Sequence, residues 1–480
     1  MRARAGRATR YVPGMRPTAI MMALLAACGS DPPAPSTHPL WSDGTHLRDE
    51  DGRTAILRGV NARVEGVFDV TFTDGRTALE PIPALTPADC SRMRQLGLDL
   101  LRLPINWSGV EPLEGQIDEA YLARVDAAVS CAASAGILVI IDLHEDGYSK
   151  EIGEDGAPLW AIQPPPTMLL GGPLLDLGER RLSAQVLNAF ATFFAEGDPS
   201  GLQGKFNAML AKLAERWATD PAVIGFELFN EPLAGDAQLT AFHLAAAQVV
   251  RTHAPEKLVF FEPAAVRNLV DFAPKSQKPF AVSGAVYSPH VYTYVFQSNP
   301  TAFQNATPAE LEPSVLGARE EAAAWHTPLF IGEFGVGPNA SDPQTDLWMR
   351  TQGQLHDRYF ASDAFWVWKE HSQASWGVFD HDAATDAWTE RPQVVAWISR
   401  VHVARIAGTP KVVESTVIGD GIHVELEPGS DTDAPYLVYV PERFAATTHA
   451  RCDGSVVPTE RAPLTGLISF ACSGVVDVGP

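Results

Sequence analysis

Eight short segments of this chain read as buried strands, with helical stretches between most of them, and this recurrence narrows the fold more than any other feature. They are Ile56–Asn61, Leu98–Pro104, Ile137–His144, Ala222–Glu231, Leu258–Glu262, Ala285–Tyr292, Leu329–Glu333 and Ala364–Lys369. The third, ILVIIDLH, is a continuous apolar run, as expected of a parallel strand covered on both faces. A helix over Pro87–Leu96 precedes the second strand, and an amphipathic one over Tyr121–Ala135 precedes the third. Eight strand–helix units in series predict an α/β fold, a TIM (β/α)8 barrel, rather than a doubly wound sheet.

A barrel needs roughly 250 residues, and the chain has 480. The surplus has three parts. After Gly408 the texture changes to short alternating runs, GIHVELE and YLVYV, so residues 409–480 are expected to form a small β-sandwich and 41–408 the barrel domain. The segment around Asp49–Gly52 is expected to be a hairpin plugging the barrel floor. Residues 145–203 form a long stretch rich in Gly and Pro after the third strand. In a barrel that places them at the catalytic face.

The N-terminus reads as a targeting segment. Five arginines and no acid are followed by a short apolar run, Ile20–Ala27, too short to span a bilayer. Residues 1–27 are therefore expected to be a signal peptide. Leu25-Ala26-Ala27-Cys28 resembles a bacterial lipobox, in which Cys28 would be lipidated, and 28–40, with four Pro in Gly29–Pro39, would be a flexible tether. The chain is then exported, either anchored to the cell envelope through Cys28 or released. Export permits disulfides. Cys452 and Cys472 fall in one small module and are expected to pair, whereas Cys90 and Cys131 fit a disulfide or two buried thiols equally. A net charge of −22 argues against a nucleic-acid partner. The sequence has no Cys-x-x-Cys or His-Glu-x-x-His spacing, so it signals no metal and calls for no cofactor.

Polar residues recur where the buried strands end: Arg102, His144, Asn230-Glu231-Pro232, His290 with Tyr292, Glu333 and Trp366. Barrel strands converge at their C-terminal ends, so residues distant in sequence meet at one mouth. Each alone has a plain structural explanation, an ion pair or a satisfied core histidine; together they make a site. Glu231 and Glu333 supply the two carboxylates that glycoside cleavage needs, one to protonate the leaving oxygen and one to attack the anomeric carbon. Arg102 is placed to hold Glu333 ionised, and Asn230 to bond a sugar hydroxyl.

These motifs resemble glycoside hydrolase family five, in the clan with an Asn-Glu-Pro acid/base motif. The resemblance rests on FELFNEPLAG (226–235), FIGEFG (330–335), LRLPINW (101–107) and YSPHVY (287–292). It implies a retaining β-glycosidase with Glu231 as acid/base and Glu333 as nucleophile. LRDEDGRTAILRGVNA (47–62) and DLHEDGYSKEIGEDGAPLWA (142–161) are similar to the endoglycoceramidase subgroup. That similarity implies cleavage of a glycolipid between glycan and ceramide, with Asp146 on the first sugar, Trp366 stacking on sugar, and an apolar shelf from 158–175. Two positions depart from the subgroup: Glu145 replaces a usual Gln, and Arg63 is the candidate for a sugar-binding Lys. Lys369 and Glu370 are expected near the mouth. The rival readings are an endo-acting polysaccharide hydrolase, of β-glucanase or mannanase type, and an inactive carbohydrate-binding surface lipoprotein.

Overall fold

The computed structural model describes residues 40–270, 282–296, 301–337, 342–371 and 376–480. The expected signal peptide, Cys28 and all of the tether but Leu40 lie outside the described residues. Eight strands form one parallel sheet: β1 (Arg58–Asn61), β2 (Leu100–Ile105), β3 (Leu138–Leu143), β4 (Val223–Glu227), β5 (Leu258–Phe261), β6 (Ala285–Tyr287), β7 (Phe330–Phe334) and β8 (Ser362–Phe365). They pair in the order β7-β8-β1-β2-β3-β4-β5-β6. Parallel bridges Tyr287–Leu329 and Val291–Phe334 join β6 to β7 and close the ring. Helices such as Glu119–Ser134, Leu202–Trp217 and Pro308–Ala324 alternate with the strands. Several strands stop short of their expected ends, β4 at Glu227 and β6 at Tyr287, because the chain leaves the ladder there and turns across the mouth.

Side chains on a strand alternate between its two faces, and that period sorts the barrel interior. Leu100, Ile140, Leu258, Phe260 and Val286 form an apolar layer at the floor with Leu40, Leu47 and Ala55. Two residues further along the same strands lie Arg102, Asp142, Glu262 and Ser288, all buried. The interior therefore passes from apolar at the floor to charged at the mouth.

The N-terminal hairpin plugs the floor, as its position suggested, and it has a second role. Thr54–Ala55 pairs antiparallel with His402–Ile406, which in turn pairs with Tyr436–Tyr439. The strands at 41–55 thus belong to a seven-stranded sheet packed with a five-stranded one, Pro410–Ser415 to Val476–Gly479. The division expected at 408/409 does not follow these sheets. The sandwich takes its strand at 402–406 from before the boundary and its edge from the N-terminus. Arg48 fastens the two together, donating to Gly408 O at 3.0 Å and Thr409 Oγ1 at 2.7 Å. Cys452 and Cys472 are bonded, and so are Cys90 and Cys131, which tie helix Pro87–Gln95 to helix Glu119–Ser134.

The insertions after β1 and β3 clasp each other above the mouth. Gly172 N–H donates to Thr77 O and Leu174 N–H to Leu79 O, both at 2.8 Å. Phe68, Val70 and Leu79 form a small core there with Phe72, Ile82 and Leu174.

Candidate active site

Arg102, on the inward face of β2, is fully buried. An isolated buried cation is prohibitively costly, so it is paired on every side. Nη1 reaches Glu333 Oε1 and Asn61 Oδ1, each at 2.9 Å, and Asp142 Oδ2 at 3.1 Å. Nη2 reaches Asn230 Oδ1 at 2.7 Å and Glu262 Oε1 at 3.3 Å, and Nε donates to Glu227. Burial opposes its charge, but Asp142, Glu227 and Glu333 outweigh burial and hold its pKa well above the ordinary arginine value.

This cation orients the groups that face the cleft. Glu333, on β7, accepts from Arg102 on one oxygen and from the Tyr292 hydroxyl, at 2.8 Å, on the other. Asn230 has its amide fixed at both ends, accepting from Arg102 and donating to Asp146 Oδ1 at 2.7 Å. Glu231 follows with a φ of +45°, in the left-handed region that non-glycine residues enter only at a cost. Its backbone N–H donates to Glu262 Oε2 at 3.2 Å, which anchors that turn.

His290 stands between the two carboxylates. Its Nδ1 is 3.0 Å from Glu231 Oε1 and 3.5 Å from Glu333 Oε2, and its Nε2 is 3.3 Å from Glu262 Oε1. Burial alone would keep this ring neutral; Glu262 and Glu333 reverse that and raise its pKa well above the usual value. One oxygen of Glu231, one of Glu333 and a ring nitrogen of His290 all lie within 4.8 Å of one another. The two carboxyl groups therefore face one another across a single narrow gap, as a two-carboxylate glycosidase requires. His144 bonds Asp142 at 2.7 Å and lies parallel to the half-buried Trp366 ring at 5.5 Å. Arg102, His144, Asp146, Asn230, Glu231, His290, Tyr292, Glu333 and Trp366 therefore join one connected network at the mouth.

Comparison with known proteins bears on this geometry. The model of Cellulase (glycosyl hydrolase family 5) matches residues 67–372, a span that holds all of the network but Asn61. The chain belongs to glycosyl hydrolase family 5. Endoglycoceramidase I of Rhodococcus hoagii (strain 103S) is 28% identical over 444 residues, 84% of this chain and 85% of its own. A glucosylceramidase of Cryptococcus neoformans var. grubii is 28% identical over 256 residues, 42% of this chain and 34% of its own. The fold is that of an endogalactoceramidase crystal structure, with a TM-score of 0.76 at 24% identity over 92% of this chain and 99% of the other.

This family 5 enzyme also uses residues that sequence reasoning passed over. Asp142 and Glu262 share the inward register of Ile140 and Leu258, so the two-residue period was a usable signal for them. Glu227 and Arg181 had none. Arg181 ends the short helix Leu177–Arg181 of the β3 insertion. From there it bonds Asp146, lies 2.6 Å from Glu154 Oε2, and reaches to 3.6 Å from Glu231 Oε2. Arg63 does not serve as a free cation for sugar. It is buried between Glu80 and Glu370 and lies 5.8 Å from the Trp366 ring centre, so it buttresses that ring. Lys369 pairs with Asp89 at 2.5 Å on helix Pro87–Gln95, which makes it a fastener of the barrel wall.

The departure at Glu145 has a physical explanation. The side chain is fully buried, and burial, reinforced by Asp155, raises its pKa well above the ordinary 4.5. A neutral carboxylic acid has nearly the shape of a glutamine side chain. A raised folded-state pKa means that Glu145 favours folding fully below about pH 4.5, and that this contribution is lost as pH rises through the folded value. Glu145→Gln is therefore expected to match the wild type in melting temperature near pH 4.5 and to exceed it increasingly as pH rises. Parallel melting curves at several pH values check this; equal slopes would contradict it.

Proposed function

We propose that this family 5 enzyme cleaves the β-linked bond between the glycan and the lipid of a glycolipid, in endoglycoceramidase fashion, with Glu333 as nucleophile and Glu231 as acid/base. An oxygen of Glu333 attacks the anomeric carbon while Glu231 delivers its proton to the departing glycosidic oxygen. Arg102 and Tyr292 aim the attacking carboxylate. Glu231, now ionised, then takes a proton from water as that water displaces the glycosyl ester and regenerates Glu333.

The observation that carries the lipid part of this reading is an apolar cleft whose wall begins in the chain just after Glu231. The acid must stand next to the leaving group, so the aglycone lies on its side of the mouth. Leu233 and Ala234, just past Glu231-Pro232 in the chain, line an apolar cleft of about 390 Å³ with Ala191, Phe194, Gln238 and Val266. Gln238 is its one polar side chain. Such a wall rewards an alkyl chain at about 25 cal/mol per Å² of apolar surface covered and offers little to a second sugar. The similarity to Endoglycoceramidase I over most of both chains supports the same choice. The apolar shelf expected at 158–175 is only partly available. Ile162 is buried, and Trp160 packs edge-on against Trp107 at 5.1 Å.

The test is a product assay on a ganglioside, glucosylceramide, cellulose and mannan in parallel, with detergent to disperse the lipids. Release of an intact glycan, together with whole ceramide, from at least one glycolipid is expected to outpace any polysaccharide cleavage. Faster release of sugar from cellulose or mannan would leave only the family assignment standing.

A further inference from the structure

We infer that the Nδ1 atoms of His371 and His381 form a binding site for one divalent ion of the zinc and copper class, on the hairpin that follows β8. The two histidines are ten residues apart, a spacing that matches no metal motif. The fold brings them together. Phe379–Asp382 and Ala387–Glu390 pair as an antiparallel hairpin in which His381 stands opposite Trp388. His371, in the segment between β8 and the hairpin, lies against both residues. Its ring centre is 4.2 Å from that of His381 and 4.8 Å from that of Trp388.

The two Nδ1 atoms are 3.2 Å apart. Zinc binds imidazole nitrogen at about 2.0–2.1 Å, so two nitrogens on one tetrahedral ion stand about 3.3–3.4 Å apart. The other ring nitrogen of His381, Nε2, is 2.9 Å from Asp386 Oδ1. A carboxylate in that place is the usual partner of a metal-bound imidazole, because it keeps the proton on the far nitrogen and leaves the near one with its lone pair. Without an ion, His371 Nδ1–H donates to that lone pair. With one, the His371 proton sits on its own Nε2, both Nδ1 lone pairs face the ion, and water fills the remaining positions. Imidazole ligands suit zinc and copper. The cations of this region are already paired, Lys369 with Asp89 and Arg63 with Glu80 and Glu370. Asp386 is 86% exposed, so an ion reaches the pair from solvent.

The site is structural and lies behind the mouth. His371 follows Glu370, whose carboxylate accepts from Arg63 at 3.2 Å and from Trp376 N–H at 3.3 Å. Trp376 stands edge-on to Tyr292 at 5.7 Å, and Tyr292 donates to Glu333. An ion shared by the two histidines ties this support to the hairpin, which Arg92 fastens to helix Pro87–Gln95 through Glu390.

The experiment titrates Zn2+ by calorimetry into the chain carrying Cys28→Ser. The other four cysteines are bonded in pairs, so no thiol competes. The same chain is titrated with His371→Gln, His381→Gln or Asp386→Asn, and with His423→Gln, which removes a histidine of the sandwich. One zinc per chain is expected. Either variant of the pair is expected to lose affinity by about tenfold or more, and Asp386→Asn by about tenfold, with His423→Gln unchanged. Zinc is expected to raise the melting temperature of the parent but not of the pair variants, since an ion that binds only the folded chain stabilises it. Electron paramagnetic resonance of bound Cu2+ is expected to show two nitrogen donors in the parent and one in each pair variant. The absence of saturable binding at millimolar zinc overturns the proposal. So does unchanged affinity in either pair variant, or an equal loss in His423→Gln. The copper spectrum of the parent decides the matter even where a variant fails to fold: fewer than two nitrogen donors there overturns it.

Discussion

Glu333→Ala is expected to lose turnover on every β-glycoside by several orders of magnitude, and azide is expected to restore it with the product in the opposite anomeric configuration. Without the attacking carboxylate the glycosyl ester cannot form, so both chemical steps fail together. The truncated side chain leaves space on the face from which Glu333 reached the anomeric carbon, beside Arg102 and Tyr292. Azide entering there displaces the aglycone once, and a single displacement inverts. Glu231→Ala is expected to differ. On an aryl glycoside whose leaving group needs no proton, the first step survives and the glycosyl-enzyme accumulates. Azide then intercepts that intermediate and yields the retained configuration. Opposite configurations of the two azide products, read by nuclear magnetic resonance, check the assignment; the same configuration from both variants, or no rescue of Glu333→Ala, would sink it.

Arg102→Met is expected to be the most destabilising single change in the barrel interior. The guanidinium faces Asp142, Glu227, Glu262 and Glu333 from a fully buried position. Removing one partner of a buried ionic cluster leaves charge uncompensated and costs about 3–5 kcal/mol, a large part of the 5–15 kcal/mol that holds a typical domain together. The loss has a pH signature. Burial already raises the Glu227 pKa and pushes that of Glu262 up to about 8. Loss of the cation raises both further. A carboxyl with a raised folded pKa favours folding below its unfolded value and loses that contribution as pH rises through the folded one. The variant should therefore recover stability on acidification from pH 8 towards pH 5 more steeply than the wild type. Urea unfolding at those pH values measures it, and a pH-independent deficit would argue that Arg102 matters only for packing. Arg102→Lys should rescue little, because one ammonium cannot reproduce the planar fork that meets Glu227, Asn230 and Glu333 at once.

The candidate site was legible to the degree that its signals were local. Glu231 and Glu333 each end a short apolar run, and a carboxylate in that place is conspicuous on a single strand. Arg102, His144 and His290 were visible for the same reason. Asp142 and Glu262 were legible in principle from the two-residue period and were passed over because the runs around them looked uniformly apolar. Arg181 was not legible. It sits on a five-residue helix within an insertion, and nothing nearby in sequence points towards Glu231.

The same distinction separates the architecture into two parts. Local sequence, through hydrophobic period, chain length and residue type at strand ends, determined that eight parallel strands would close a barrel and which of their ends would carry carboxylates, histidines and a cation. These are properties of a strand or a turn and need no knowledge of neighbours. Tertiary structure alone decided what each of those groups touches. The Arg102 ion cluster joins residues 40 to 231 positions apart. The hairpin at 41–55 meets the strand at 402–406, and helix Ala184–Phe193 lines an apolar cleft with Leu233. Each of these contacts follows from ring closure, which brings strand ends together irrespective of their separation along the chain. The charge balance, the clasped insertions and the apolar cleft appear only once the ring is shut.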